Sequence, residues 1–172
     1  MKKVIIARHA KSSWDNPDWN DFERPLNKRG LRDAPFMSQI VAKLIEKPDL
    51  IISSSAVRAA TTCRFFAEAF HYDESKILFD ENIYSNGARY ILNLLSSLDD
   101  NINSVMIFGH NPDITSLFSR LTGEYIDNVP TCGVFAVAFD IESWKNIDDE
   151  NGQLLFYEYP KKHFKGDKTI ID

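Results

Sequence analysis

The chain has 172 residues, 44% of them hydrophobic and 26% charged, a balance that suits a soluble globular protein with a sizeable core. Its formal net charge of −5 excludes a global basic field for nucleic acid, so any anion site has to be local. No apolar run approaches the ~20 residues of a membrane helix, and the run VIIA after MKK is too short for a secretory signal.

Cys63 and Cys132, the two cysteines, lack the spacing of a thiolate metal site, which predicts a reducing cytoplasmic setting and no structural disulfide. With no internal repeat and no Pro/Gly-rich linker, residues 1–172 are expected to form one domain.

The first predicted strand, residues 3–7, is continuously apolar, as strands buried on both faces tend to be, and it runs straight into Arg8 and His9. The loop WDNPDWNDF, residues 14–22, either packs on its own aromatics or walls a site, with Trp14 the candidate for the latter. Apolar residues at Phe36, Met37, Ile40, Val41, Leu44 and Ile45 predict a helix over residues 31–46, ended by Lys47-Pro48. A strand over 50–53 leads through SSAVRAATT into a helix over 57–70, whose apolar face holds Ala59, Ala60, Cys63, Phe66, Ala67 and Phe70.

Residues 76–79 form a third strand ending in Phe79-Asp80-Glu81-Asn82, followed by a helix over 89–98. A fourth strand, 104–108, leads through Gly109-His110-Asn111-Pro112 into a helix over 113–121. Strands at 134–140 and 154–159, joined by the acidic turn 146–152, are expected to make an antiparallel hairpin at one end of the sheet. The tail 161–172 has little apolar content beyond Phe164, Ile170 and Ile171, and its lysines are expected to be solvated and partly mobile. This alternation predicts an α/β fold of three layers, with a largely parallel sheet and helices on both faces.

In open α/β sheets, ligands bind beyond the carboxyl ends of the strands. Arg8-His9 stands after the first strand, Arg58 one turn into the helix after the second, and His110 after the fourth. Taken singly, Arg8-His9 reads as a surface pair, Arg58 as a solvated helix arginine, and Gly-His-Asn-Pro as a turn. Together they describe a pocket for a tetrahedral dianion. Arginines offer paired donors to phosphoryl oxygens, and the start of the second helix adds free N–H groups. A neutral histidine there is a competent nucleophile towards phosphorus.

Glu81, at a further strand end, is the candidate general acid, beside an equally plain reading as a loop acid. His71 and His163 lack any motif and read as surface residues. A metal hydrolase using His9, His110 and Asp113 is the weaker alternative, because two arginines would repel the cation. A non-catalytic phospho-ligand module on the same fold is a third.

Arg8-His9-Ala10, residues 54–62 and Gly109-His110 resemble the histidine phosphatase superfamily, the group that includes phosphoglycerate-mutase-like enzymes. The fuller set RHAKSSW, RPLNKRG (residues 24–30), GHNPDI and PTCGV (residues 130–134) is similar to its phosphohistidine phosphatase branch, the SixA type. The resemblance implies a phosphoglycerate mutase-like fold and a metal-independent, cofactor-free phosphatase acting on a phosphoprotein or small phosphate ester. It implies His9 as the phosphorylated nucleophile, Arg8, Arg58 and His110 as the phosphate pocket, and Glu81 as proton donor. Ser12, Trp14, Arg24 and Asn111 are further candidates for contact with substrate, Arg24 alternatively orienting its loop.

Two departures stand out: Ala10 replaces the glycine of the common RHG motif, and Asp15 takes the place of a phosphate-holding asparagine. The chain also lacks the long insertion of mutases, which favours transfer to water in an open pocket.

Overall fold

A computed structural model describes residues 1–148 and 151–164. Six strands form one sheet in the order β3-β2-β4-β1-β5-β6, with β1 Lys2–Arg8, β2 Leu50–Ser53, β3 Leu78–Phe79, β4 Ser104–Gly109, β5 Val134–Phe139 and β6 Gln153–Glu158. Pairing is parallel from β3 through β1, and β5 and β6 are antiparallel. The α-helices among the described residues are α1 Lys28–Leu44, α2 Val57–Ala69, α3 Asn82–Ser85, α4 Gly87–Ser96 and α5 Asp113–Thr122.

The continuous apolar run of β1 works as expected of a strand covered on both sides. Ile5 and Ala7 pack with Met37 and Val41 of α1 and Cys63 and Phe66 of α2 on one face. Val4 and Ile6 pack with Ile91 and Leu95 of α4 and Ile114, Leu117 and Phe118 of α5 on the other. At about 1.5–3 kcal/mol for each large apolar side chain buried, this central strand anchors both cores. Its lock on β4 pairs Arg8 with Gly109, so the residues that follow the two strands emerge side by side.

Three expectations need correction. The third strand shrinks to Leu78–Phe79, because Glu74–Lys76 turns as a 3-10 helix whose cap, Asp73, accepts from the Ser75 N–H. The first long helix starts at Lys28 rather than residue 31, since Asn27 caps it by accepting from the Gly30 N–H. The short helix α3, carrying Tyr84, had no counterpart among the predicted elements. The antiparallel pair β5–β6, by contrast, stands at one end of the sheet as expected, with β6 at its edge.

Asp149 and Glu150 of the acidic turn, and Lys165, Lys168, Ile170 and Ile171 of the tail, lie outside the described residues. Before them Phe164 packs on Phe36, with ring centroids 4.5 Å apart. Among the described residues, no helix is long and apolar enough to cross a membrane.

Candidate active site

The site is built at the carboxyl ends of β1, β2 and β4. Past β1, the His9 N–H donates to the Gly109 carbonyl at 3.1 Å, and the His9 carbonyl accepts from the Cys132 N–H at 3.0 Å. The Ala10 N–H donates to Thr62 Oγ1 on α2, and that hydroxyl donates in turn to the Arg58 carbonyl. The nucleophile candidate is therefore fixed by backbone bonds on three sides.

Further along, Ser12 bridges Leu26, the Ser13 N–H reaches the Pro25 carbonyl and the Asn27 N–H reaches that of Lys11. Those bonds explain the RPLNKRG stretch, which straps residues 11–13 to the start of α1. Gly30 completes the strap, because a Cβ there would overlap the Lys11 carbonyl oxygen. Gly30→Ala is accordingly expected to cost about 1–3 kcal/mol of stability, read as a melting temperature lower by about 2–4 °C for each kcal/mol. An unchanged melting temperature would show that α1 yields freely.

The ring chemistry of His9 follows from one contact. Nδ1 lies 2.7 Å from the Ala10 carbonyl, which can only accept, so Nδ1 carries the proton and Nε2 carries the lone pair. Arg58 Nε stands 3.4 Å from that Nε2. Burial, joined by the charges of His110, Arg58 and Arg8, holds His9 well below the ordinary imidazole range despite the opposing Ala10 bond. Burial and then Arg58 likewise push His110 down to about 3. Both rings, with centroids 5.2 Å apart, are thus neutral near pH 7.

His110 Nε2 meets Ser54 Oγ at 2.8 Å. Its Nδ1 is buried without a hydrogen-bond partner among the described residues, a polar atom that folded proteins seldom leave unmet.

Arg58, only 4% exposed, donates from Nη1 and Nη2 to the carbonyl and carboxylate of Asp21. Arg8 Nη1 donates to the Val129 carbonyl at 2.9 Å. The cluster as a whole sets a lone pair on nitrogen among guanidinium charges, a setting for an oxyanion. Among the described residues no group of three or more His, Cys, Asp or Glu side chains is placed to hold a metal ion.

Comparison with known proteins agrees with this geometry. The model of the histidine phosphatase superfamily (branch 1) matches residues 4–83, from β1 to the start of α3. A chloroplastic protein of Arabidopsis thaliana is 32% identical over 152 residues, covering 84% of this chain and 69% of that one. The chain belongs to the histidine phosphatase superfamily.

Among solved structures of the superfamily, a protein assigned as phosphohistidine phosphatase SixA from Agrobacterium tumefaciens is 28% identical, with a TM-score of 0.78 over 92% of this chain and 98% of that one. The fold also matches protein histidine phosphatase SixA complexed with tungstate, at a TM-score of 0.72 and 20% identity over 90% of this chain and 95% of the other.

Of the candidate residues, the structure gathers Arg8, His9, Arg58 and His110. Glu81 is exposed at the N-terminal boundary of α3 and caps nothing with its side chain. Ser12 is buried, accepting from Arg24 Nη1 at 2.7 Å. Trp14 is 73% exposed, with the Arg24 guanidinium stacked 3.5 Å over its ring. Arg24 therefore ties its loop together through Ser12, Asp21 and Trp14. The Asn111 amide is committed to Asn128, Val129 and Thr115 and anchors the loop to which Arg8 is also tied.

Asp15 is exposed, and Ala10 fits without exposure. Two site residues had no signal in the spacing: Ser54, the partner of His110, and Asp21, in the loop expected either to pack on its own aromatics or to wall the site through Trp14.

Proposed function

We propose that the chain is a metal-independent phosphatase working through a phosphohistidine intermediate on His9, on protein phosphohistidine or a phosphorylated small molecule. The observation that carries this reading is the Ala10 carbonyl bond, which leaves the Nε2 lone pair of a neutral His9 beside the Arg58 donor. In the first step Nε2 bonds to phosphorus as the bond to the leaving group breaks, with the leaving group taking a proton from Glu81 or from water. In the second, water attacks phosphorus, the N–P bond breaks, and inorganic phosphate leaves with neutral His9 restored.

Arg8 and Arg58 hold charge on the transferring oxygens, and His110 Nδ1 gains the partner that it lacks in the free site.

A protein phosphohistidine substrate is supported by the likeness to SixA at 28% identity and by the exposed setting of Glu81. An N–P leaving group is easily protonated and needs no strong acid. We read the chain as one domain around this site, in a reducing compartment suited to its two buried free cysteines.

Glu81→Gln tests the assignment. Hydrolysis of a phosphomonoester is expected to fall about 100-fold or more, while hydrolysis of phosphohistidine stays within a few-fold of wild type. Equal losses on both substrates, or none, would remove Glu81 as the donor. Activity undiminished by excess chelator is expected on either substrate, and its loss would return the metal hydrolase.

A further inference from the structure

Asp21 is an acid set among the cations of an anion pocket, where a negative charge opposes the ligand. Its partners explain the arrangement. Oδ1 accepts from Arg24 Nε at 3.1 Å and Nη2 at 2.9 Å. Oδ2 accepts from Arg58 Nη2 at 2.9 Å and from the Tyr84 hydroxyl at 2.7 Å. An ionised carboxylate has about four lone-pair sites, so Asp21 is saturated and cannot bind a group on the substrate. Burial alone would raise its carboxyl, but the bonds from Tyr84, Arg24 and Arg58 outweigh that and hold it ionised. It is no proton donor either.

What remains is its effect on Arg58. A guanidinium has two edges that can each offer a pair of parallel donors. Asp21 takes the outer edge, with its carbonyl on Nη1 and its carboxylate on Nη2. The side edge, formed by Nε–H and the second hydrogen of Nη2, is left towards His9, where Nε stands 3.4 Å from the reactive nitrogen.

We propose that Asp21 is a positioning residue: it occupies the outer edge of Arg58 so that the side edge faces the phosphoryl group above His9. Tyr84 and Arg24 hold the carboxylate from α3 and from its own loop, which makes the aim of Arg58 depend on three separate segments. This inference rests on the phosphatase reading of the site.

The test is the binding of tungstate, measured by titration calorimetry, to wild type, Asp21→Asn, Arg58→Ala and the double variant, with melting temperatures recorded alongside. Asparagine keeps one oxygen for Arg24 but turns donors towards Arg58. Asp21→Asn is therefore expected to weaken tungstate about 10-fold and to lower kcat in proportion, with its melting temperature near that of wild type.

In the Arg58→Ala background, the same change is expected to add nothing, since the side chain that it aims is gone. Tyr84→Phe, which removes one of two donors to Oδ2, moves tungstate affinity in the same direction by a smaller factor.

If Asp21 merely repels the ligand, Asp21→Asn binds tungstate more tightly, and the proposal falls. Losses that add in the double variant overturn it as well, because they would place the effect of Asp21 outside Arg58. The phosphatase reading fails differently: a wild type that binds tungstate in this way yet forms no phosphoenzyme would sink that reading and leave the aiming of Arg58 intact.

Discussion

Wild-type protein quenched during turnover of a labelled substrate is expected to retain an acid-labile, base-stable phosphate, and His9→Ala to retain none. Turnover in that variant is expected to fall on the order of 10⁴-fold or more, the scale of nucleophile deletions in other covalent enzymes. The effect is large because, among the described residues of the site, the His9 Nε2 lone pair is the one set beside the Arg58 donor. His110, the other ring of the site, has one nitrogen bonded to Ser54 and is held 5.2 Å away between ring centroids.

The bonded phosphate is also expected on a particular atom. Nδ1 of His9 is occupied in its bond to Ala10, so the label belongs on Nε2, which phosphorus-31 spectra of the denatured phosphoenzyme distinguish. A label on Nδ1 would refute the tautomer derived above, and normal labelling of His9→Ala would refute the mechanism.

The parts of the site that could be read in the sequence are those delivered by strand ends. A continuous apolar run followed at once by Arg8-His9, and another by Gly109-His110, needed only the parallel register Arg8 to Gly109 to meet in space. Arg58 followed from the same rule one helical turn later. Asp21 was hidden because its neighbours, Trp19 and Phe22, suggest a loop that packs on itself, and the partners that bring it to the site lie 37 and 63 positions away at Arg58 and Tyr84. No local period records contacts of that range.

The fold shows the same division. α2 and β2 matched their patterns closely, whereas α1 begins in Lys28-Arg29-Gly30, charges and a glycine that look like loop until Asn27 caps them. Lys2 reads as a solvent residue but is buried, its ammonium held by the carbonyls of Asp100 and Ile102 and by Asn103 Oδ1. Three well-placed acceptors offset the cost of burying that charge.

Arg58 carries the second large effect, and two substitutions separate its roles as fork and as charge. Arg58→Lys keeps a positive charge near His9 but loses the paired donors, whose geometry a compact ammonium cannot supply. Arg58→Ala loses both. Each is expected to lower kcat/KM by about 10²–10³-fold, the usual result of removing a preorganised donor to developing charge.

The pH profiles should differ. Burial is the largest cause of the low proton affinity of both histidines, and the Arg58 charge adds to it at each. Removing that charge makes the imidazolium easier to form, so the pKa of each ring rises. Because attack requires neutral His9, the acid limb of kcat/KM in Arg58→Ala moves to higher pH, whereas in Arg58→Lys it stays near that of wild type. Wild-type rates in Arg58→Lys would show that a point charge is enough and that the fork has no part in the chemistry. An acid limb shared by all three proteins would instead show that His9 stays neutral without the Arg58 charge, leaving Arg58 to act only on the phosphoryl oxygens.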